Sequence, residues 1–180
     1  MLGPIAHTSV QIPTYTLEDL RLRAPKASDM PAYTAFCASD RAVGVGGPYP
    51  GFAAENRLLA LIGHWHIYGY GRWIVADAET DAPLGVVGLM NAVDWPAPEI
   101  AWTVFEGAEG KSVAHRAATF ARAYAYDILG WSTVVSCIAP GNTRSEALAQ
   151  RMGAVHESVF TSDEIGTLNI WRHLPPEALT

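Results

Sequence analysis

Residues 99–130 read EIAWTVFEGAEGKSVAHRAATFARAYAYDILG. Near the start, Ile100, Trp102 and Val104 stand at every second position, a period that predicts a half-buried strand. From Val113 onward, large apolar residues recur every three or four positions, which predicts an amphipathic helix that Gly130 ends. The intervening segment 106–112 is polar and rich in glycine, so we expect a tight loop there.

A glycine loop between a strand and a helix favours an anion site. The first amides of the helix have no partner within it, and the helix dipole adds partial positive charge at that end. An ordinary turn remains the alternative at this point. The segment Gly110-Lys111-Ser112 resembles the end of a nucleotide P-loop, but that motif requires a glycine where the chain has Phe105. The P-loop is therefore excluded.

The composition predicts one globular domain over residues 1–180, with an irregular N-terminal arm at residues 1–16. Hydrophobic residues make up 49% of the chain and charged residues 17%, which excludes a disordered protein. The net charge of −6 argues against nucleic acid or an anionic membrane as a partner. It mildly favours a cationic or amine-bearing substrate.

We expect a cytoplasmic protein without a metal centre. The two cysteines, Cys37 and Cys137, form no C-x-x-C motif, and reduced thiols are the default in the cytoplasm. No apolar run approaches the ~20 residues that span a bilayer, and the first ten residues lack a basic leader. His64 and His66 lie two apart on a predicted helix, so they point in different directions and cannot share one ion.

Taken along the chain, the periodicities predict the element order β-α-α-β-β-β-α-β-α-β-β. Leu20 and Leu22 form one apolar face of the first strand, and Ser28 or Asp29 caps the helix that follows. A long glycine- and proline-rich loop, 41–51, precedes a helix at 52–67 that presents Leu58, Ile62 and Trp65. The remaining predicted elements are strands 73–77, 84–90 and 99–105, helix 113–129, strand 133–138, helix 143–152, and the hairpin of strands 155–161 and 167–172.

This order, together with two motifs, resembles the GNAT superfamily of acyl-CoA N-acyltransferases. The loop Glu109-Gly110-Lys111-Ser112-Val113-Ala114 is similar to the family's pyrophosphate loop, with Glu109 in place of Gln or Arg and Ser112 in place of a central glycine. The run N-T-R-S-E-A-L-A-Q-R-M-G at 142–153 resembles the segment that meets the pantetheine arm. Residues 20–23, LRLR, resemble the branch that acetylates ribosomal-protein N-termini. The resemblance implies an α/β fold with a mostly antiparallel twisted sheet of six to seven strands and helices on both faces.

The resemblance also implies acetyl-CoA as co-substrate and no metal. The pyrophosphate would lie on the loop amides, the pantetheine would pair with the end of the central strand, and the segment after the next strand would meet the arm. A carboxylate at Glu109 would repel the pyrophosphate unless it turned away, and Ser112 would fit if its φ were negative. The cofactor-binding residues implied are Thr103, Val104, Phe105, Gly110, Lys111, Ser112, Val113, Ala114, Asn142 and Ser145.

The implied activity is acetyl transfer to a primary amine, either of a small molecule or of a protein N-terminus. Glu99, at the head of the central strand, is the expected general base. The tyrosine that serves as general acid in many members is replaced by Ala149. Trp65, Trp73 and Trp95 are expected to line the acceptor site, and the resemblance is compatible with a homodimer. A non-catalytic acyl-CoA-binding protein and an unrelated phosphate-binding module remain the alternatives.

Overall fold

The computed structural model describes residues 10–179, which form one eight-stranded sheet and four α-helices. The helices are α1 (Met30–Ala38), α2 (Phe52–Tyr68), α3 (Val113–Ala123) and α4 (Thr143–Arg151). None of the helices in this part of the chain is long and apolar enough to cross a membrane. The strands are β1 (Tyr15–Leu17), β2 (Leu20–Arg23), β3 (Arg72–Asp77), β4 (Pro83–Met90), β5 (Glu99–Val104), β6 (Val135–Ile138), β7 (Val155–Ser162) and β8 (Gly166–Arg172).

The strands lie in the order β1-β2-β3-β4-β5-β6-β8-β7. Neighbouring strands are antiparallel except β5 and β6, which run parallel. The predicted fold class is therefore confirmed, with eight strands rather than six to seven. The additional strand is β1, which pairs with β2, so Tyr15 and Thr16 do not belong to an irregular arm. The rest of the predicted arm, residues 1–9, lies outside the described residues.

Both faces of the sheet are covered. Helix α3 packs on one face, where Trp73, Val75 and Leu89 are fully buried. Helices α1 and α2 pack on the other face, against Ile74 and Val86. Because both faces are buried, the central strands are nearly continuous apolar runs.

The register of β5 divides its side chains between these two faces. Thr103 lies opposite Val86 on β4, and Trp102 lies opposite Val87. Glu99, Ala101 and Thr103 therefore belong to the face that α1 and α2 cover. Ile100, Trp102 and Val104 belong to the α3 face.

Helix α2 presents a different apolar stripe from the predicted one. Leu58 and Trp65 are buried, as is Leu61, whereas Ile62 is 37% exposed. The prediction that Ile62 belongs to the buried face is wrong, because a turn of 100° per residue leaves it at the edge of the stripe. The loop 41–51 also differs, since Asp40–Val45 forms a 3₁₀ helix that Gly46 ends at φ 84°.

The start of α1 is fixed by a buried ion pair rather than by a side-chain cap. Asp29 stands at the N-cap, but its carboxylate accepts two hydrogen bonds of 2.8 Å from the Arg23 guanidinium. It also accepts from the Lys26 backbone N–H at 2.7 Å. Both side chains are at most 4% exposed, so this bidentate pair ties β2 to the first turn of α1.

Candidate active site

The central feature of the site is a fork in the sheet. Strands β5 and β6 share one register pair, Glu99 with Val135, and then diverge. At the apex of the fork, Ser136 Oγ donates to the Ile100 carbonyl at 2.8 Å. The Ser136 hydroxyl thus satisfies a carbonyl that would otherwise be left unpaired where the strands separate.

The alternation of backbone groups along β5 decides which residues face the fork. Phe105 N–H donates to Leu84 O, so the odd-numbered residues direct their backbone groups to β4. Val135 N–H donates to Pro98 O on the other side, so the even-numbered residues face β6. Beyond Ile100, the backbone groups that reach the open fork are therefore those of Trp102 and Val104. The Val104 carbonyl accepts from Arg41 Nη2 at 2.8 Å.

The fork opens into a cleft of about 1000 Å³. Its walls come from β5, β6, the loop after β5, the first turn of α3, helix α4 and the 3₁₀ segment after α1. Nine of the fourteen site residues predicted from the sequence line this cleft. They are Glu99, Thr103, Val104, Gly110, Ser112, Val113, Ala114, Asn142 and Ser145.

The loop before α3 has three residues in the left-handed region. Gly107 has φ 79°, Gly110 has φ 74° and Ser112, the N-cap of α3, has φ 57°. Ser112 therefore does not meet the condition of a negative φ, and the chain holds a serine in the left-handed region where the family has glycine. Ser112, Val113 and Ala114 line the cleft, and the first amides of α3 have no acceptor within the helix.

The carboxylate of Glu109, beside the loop, is paired with two arginines. Its Oε1 lies 2.7 Å from Arg41 Nη2 and 2.7 Å from Arg144 Nη1. The Arg41 guanidinium, followed by that of Arg144, lowers the pKa of Glu109. The repulsion expected between Glu109 and a pyrophosphate is thus offset by two guanidiniums, which leave the trio with a net positive charge.

Glu99 lies at the inner end of the cleft and is only 5% exposed. Its Oε2 accepts from Trp95 Nε1 at 2.7 Å, and its Oε1 accepts from the Cys137 backbone N–H at 3.1 Å. Both carboxylate oxygens are therefore held in place while lone pairs remain for a substrate. Trp95, predicted to line the acceptor site, is not among the residues that line the cleft, but its indole N–H holds the predicted base in place.

Burial raises the pKa of Glu99 to about 7, against the two hydrogen bonds and the nearby Arg72, which lower it. A carboxylate with this pKa is present in both protonation states near neutral pH. That is the range in which a general base exchanges protons most effectively. Burial also raises the pKa of the adjacent Cys137 thiol, so this thiol stays protonated.

Several predicted site residues lie elsewhere. Phe105 is 4% exposed and packs on Tyr33 and Phe36, and its N–H is already bonded to β4. Lys111 is exposed and does not line the cleft. Trp65 and Trp73 contact each other in the core on the α3 face, which corrects their assignment to the acceptor site. Their indole N–H groups bond to backbone carbonyls of Arg72 and Pro13 respectively.

Helix α4 contributes its first turn to the cleft. Asn142 is the N-cap, and its Oδ1 accepts from Ser145 N–H at 3.2 Å. Ser145 Oγ in turn accepts from Trp102 Nε1 at 3.2 Å, which leaves the serine proton free to donate. Ala149 is fully buried. An alanine offers no proton to donate, and Ser145 is the residue of α4 whose hydroxyl lines the cleft.

Four residues of the site were not found from the sequence: Arg41, Trp102, Ser136 and Arg144. Trp102 was noted only as a member of the β5 period, and no local pattern marks Arg41 or Ser136. Among residues 10–179, no cluster of three or more His, Cys, Asp or Glu side chains could hold a metal ion.

Beneath the fork, His173 is held in one tautomer. Because the Ser136 hydroxyl donates to Ile100, the 2.9 Å contact with His173 Nε2 has the histidine as donor. Its Nδ1 is buried without a partner among the described residues. Burial, with a smaller contribution from the Arg122 charge, lowers the pKa of His173 to about 3.

We expect His173 and Glu99 to have opposing effects on stability. Between pH 4.5 and 6.5, unfolding lets His173 gain a proton and makes Glu99 release one, so the two slopes of ~1.4 kcal/mol per pH unit nearly cancel. In Glu99→Gln only the His173 effect remains, so the free energy of unfolding in urea should decrease as the pH falls from 6.5 to 4.5. His173→Gln should instead lose stability as the pH rises from 4.5 to 7. Parallel pH profiles for wild type and both variants would contradict this assignment.

The family comparison matches residues 19–155 to the acetyltransferase (GNAT) domain. Among solved structures, an acetyltransferase from Agrobacterium tumefaciens is 32% identical, with a TM-score of 0.83. The match covers 95% of this chain and 99% of that one.

Two more distant structures share the fold. One is a ribosomal-protein-S5-alanine acetyltransferase from Vibrio fischeri, with 17% identity, a TM-score of 0.67, and coverage of 92% of this chain and 98% of that chain. The other is a spermidine N-acetyltransferase from Vibrio cholerae in complex with CoA and spermine. Its identity is 20%, its TM-score 0.70, and the match covers 89% of this chain and 98% of that chain.

Proposed function

The chain belongs to the GNAT family of acetyltransferases, and we propose that it transfers the acetyl group of acetyl-CoA to a primary amine, with Glu99 as the base. The observation that carries this proposal is the position of Glu99, a buried carboxylate at the inner end of a cleft whose outer end is an anion-binding loop. One end of the cleft suits a phosphate, and the other suits an amine that must lose a proton.

In the proposed complex, the pyrophosphate lies over the amides of Gly110 to Ala114. The guanidiniums of Arg41 and Arg144, now paired with Glu109, are within reach of the phosphates. The pantetheine enters the fork and bonds to the free backbone groups of Trp102 and to Val104 N–H. The pantetheine was expected to pair with residues 103–105. The backbone groups of Thr103 and Phe105 cannot take part, because the odd-numbered residues bond to β4.

The reaction then needs two proton transfers. The amine nitrogen attacks the thioester carbon, the C–S bond breaks, and the amide C–N bond forms. Glu99 takes the proton that the amine loses, and a backbone N–H of the fork stabilises the carbonyl oxygen. The Ser145 hydroxyl, oriented by Trp102 Nε1, donates its proton to the departing thiolate and regains one from water in the open cleft.

The test is release of the CoA thiol from acetyl-CoA across a panel of primary amines. Amine-dependent release supports the transferase, while CoA binding without release with any amine would indicate the non-catalytic acyl-CoA binder. Thermal shift with CoA and with ATP separates both from an unrelated phosphate-binding module, which would not prefer CoA.

Asn142 offers a separate test because its side chain both caps α4 and lines the cleft. Asn142→Ala should cost ~1 kcal/mol of stability through the lost helix cap and also weaken CoA binding. Asn142→Asp keeps the cap but places a carboxylate in the cleft, so it should weaken CoA binding at nearly wild-type stability. Calorimetric titration and urea unfolding measure the two effects. Equal CoA affinity in wild type and Asn142→Asp would restrict Asn142 to the cap.

A protein N-terminus as acceptor, a homodimer and a cytoplasmic location remain predictions. The location is supported by Cys37 and Cys137, which are both free thiols, as expected in a reducing compartment.

A further inference from the structure

Two arginines on the Glu99 face of the sheet lack an anionic partner. Arg72 begins β3, and Arg57 lies on α2, above the same face. Neither makes an ion pair within the described residues, whereas Arg21, Arg23, Arg41, Arg116, Arg144 and Arg172 all do. The contact given for the Arg57 guanidinium is the Tyr49 ring, 4.0 Å away.

The sheet register places Arg72 on the same face as Glu99, behind the residues that line the cleft. Arg72 lies opposite Gly88 on β4, and Gly88 lies opposite Ala101 on β5. Since Gly88 has no side chain, nothing on β4 at this position separates Arg72 from β5. Glu99 is two residues from Ala101 and shares its face, so the guanidinium and the carboxylate belong to the same space.

The charges of these groups also act on one another. Burial lowers the pKa of Arg72, with Arg57 lowering it and Tyr33 and Glu99 raising it. Arg57 and Arg72 likewise act on the buried phenol of Tyr33. The cluster thus holds two guanidiniums, one neutral phenol and one carboxylate, so its net charge is positive while that of the whole chain is −6.

We propose that Arg57 and Arg72 bind a carboxylate of the acceptor, so that the substrate is an amine that also carries a carboxylate. The proposal rests on the proposed acetyl transfer, in which the amine must approach Glu99. A free amino acid is the simplest such acceptor, because its amine would reach Glu99 while its carboxylate completes the charge balance of the two guanidiniums. A polyamine would bring further positive charge to the same cluster.

This inference revises the expectation from the bulk charge. A net charge of −6 favours cationic substrates at a distance, but short-range recognition depends on the charged groups nearest the bound acceptor. The single carboxylate of Glu99 cannot balance two partly buried guanidiniums, and an acceptor carboxylate would relieve the remaining cost.

The experiment compares matched acceptors with wild-type enzyme at saturating acetyl-CoA. The panel contains L-amino acids, their α-carboxamides, a short peptide with an acidic first residue, and spermidine. We expect kcat/KM for the free amino acid to exceed that of its carboxamide by ~10- to 100-fold. The reactivity of the amine by itself favours the carboxamide, because the amine of the carboxamide is the weaker base and is more often neutral. If only the acidic peptide is preferred, the carboxylate belongs to a side chain.

Variants then assign the effect to the arginines. Arg72→Gln and Arg57→Gln should each raise KM for the carboxylate acceptor by ~10-fold or more and leave KM for the carboxamide nearly unchanged. Arg116→Gln removes a guanidinium from α3, which packs on the opposite face of the sheet, and serves as the charge-matched control. Because Arg72 also acts on Glu99, its variant should shift the pH–rate profile equally for both acceptors, which separates positioning from carboxylate binding.

Equal kcat/KM for amino acids, carboxamides and spermidine would overturn the proposal while leaving acetyl transfer intact. Equal losses on both acceptors in the arginine variants would also overturn it. Should Arg72→Gln fail to fold, the wild-type acceptor ratio and Arg57→Gln still decide. Absence of transfer to every amine would instead refute the proposed function itself.

Discussion

Glu99→Gln is expected to lower kcat by ~10²- to 10⁴-fold, because a general base of this kind contributes that much. The substitution keeps the size of the side chain, and the Gln carbonyl can still accept from Trp95 Nε1. The affinity for acetyl-CoA should stay nearly unchanged, since the pyrophosphate loop lies at the other end of the cleft. Thiol-release kinetics and calorimetric titration measure the two quantities.

The pH dependence of kcat/KM provides a second test of Glu99 as the base. Because Glu99 must be ionised to accept a proton and its pKa is about 7, kcat/KM in the wild type should rise through neutral pH. In Glu99→Gln this limb should disappear, and the loss of rate should shrink at high pH, where the amine arrives already neutral. Trp95→Phe is the matched control, since it removes one hydrogen bond to Glu99 and should raise the pKa of that limb. Wild-type turnover in Glu99→Gln at neutral pH would remove Glu99 from the mechanism.

Gly110→Val is expected to weaken CoA binding by ~10- to 100-fold. A β-branched residue at φ 74° costs ~1–3 kcal/mol in backbone strain, and the loop relieves that strain by moving. Gly110 lines the cleft, so this movement carries its neighbouring amides away from the pyrophosphate. Calorimetric titration with CoA measures the loss.

Gly107→Val is the matched control for the loop. Gly107 has nearly the same φ, 79°, but does not line the cleft. A Cβ at either position has open space around it, so backbone strain alone is added in each case. Gly107→Val should therefore lose stability with little loss of CoA affinity. Equal losses of affinity in the two variants would mean that the loop acts only through its folding.

The sequence predicts the elements of this fold well because periodicity reports burial directly. The change of period between Trp102 and Val113 locates β5, the loop and the start of α3 within a residue or two of their observed bounds. The predicted end of the helix at residue 129 is six residues beyond Ala123, because Tyr124–Ile128 continues α3 as a π-helix. The strand β1 was not predicted, because Tyr15–Leu17 is too short for alternation to show and owes its conformation to pairing with β2.

The site is harder to predict, since periodicity does not say which face of a strand lines a cleft. Trp73 was expected at the acceptor site, yet the register places it on the α3 face, and its neighbour Arg72 on the acceptor face instead. The pairs Trp95–Glu99 and Arg41–Glu109 depend on how loops fold over the sheet. Motif resemblance located Glu99, Gly110 and Asn142 because their positions follow from the element order.

A crystal structure of the protein with CoA tests the central claim most directly. We expect the pyrophosphate over the amides of Gly110 to Ala114, the pantetheine in the fork beside Trp102, and the thiol in the space beside Glu99. CoA bound outside the β5–β6 fork, or with its thiol directed away from Glu99, would contradict the account.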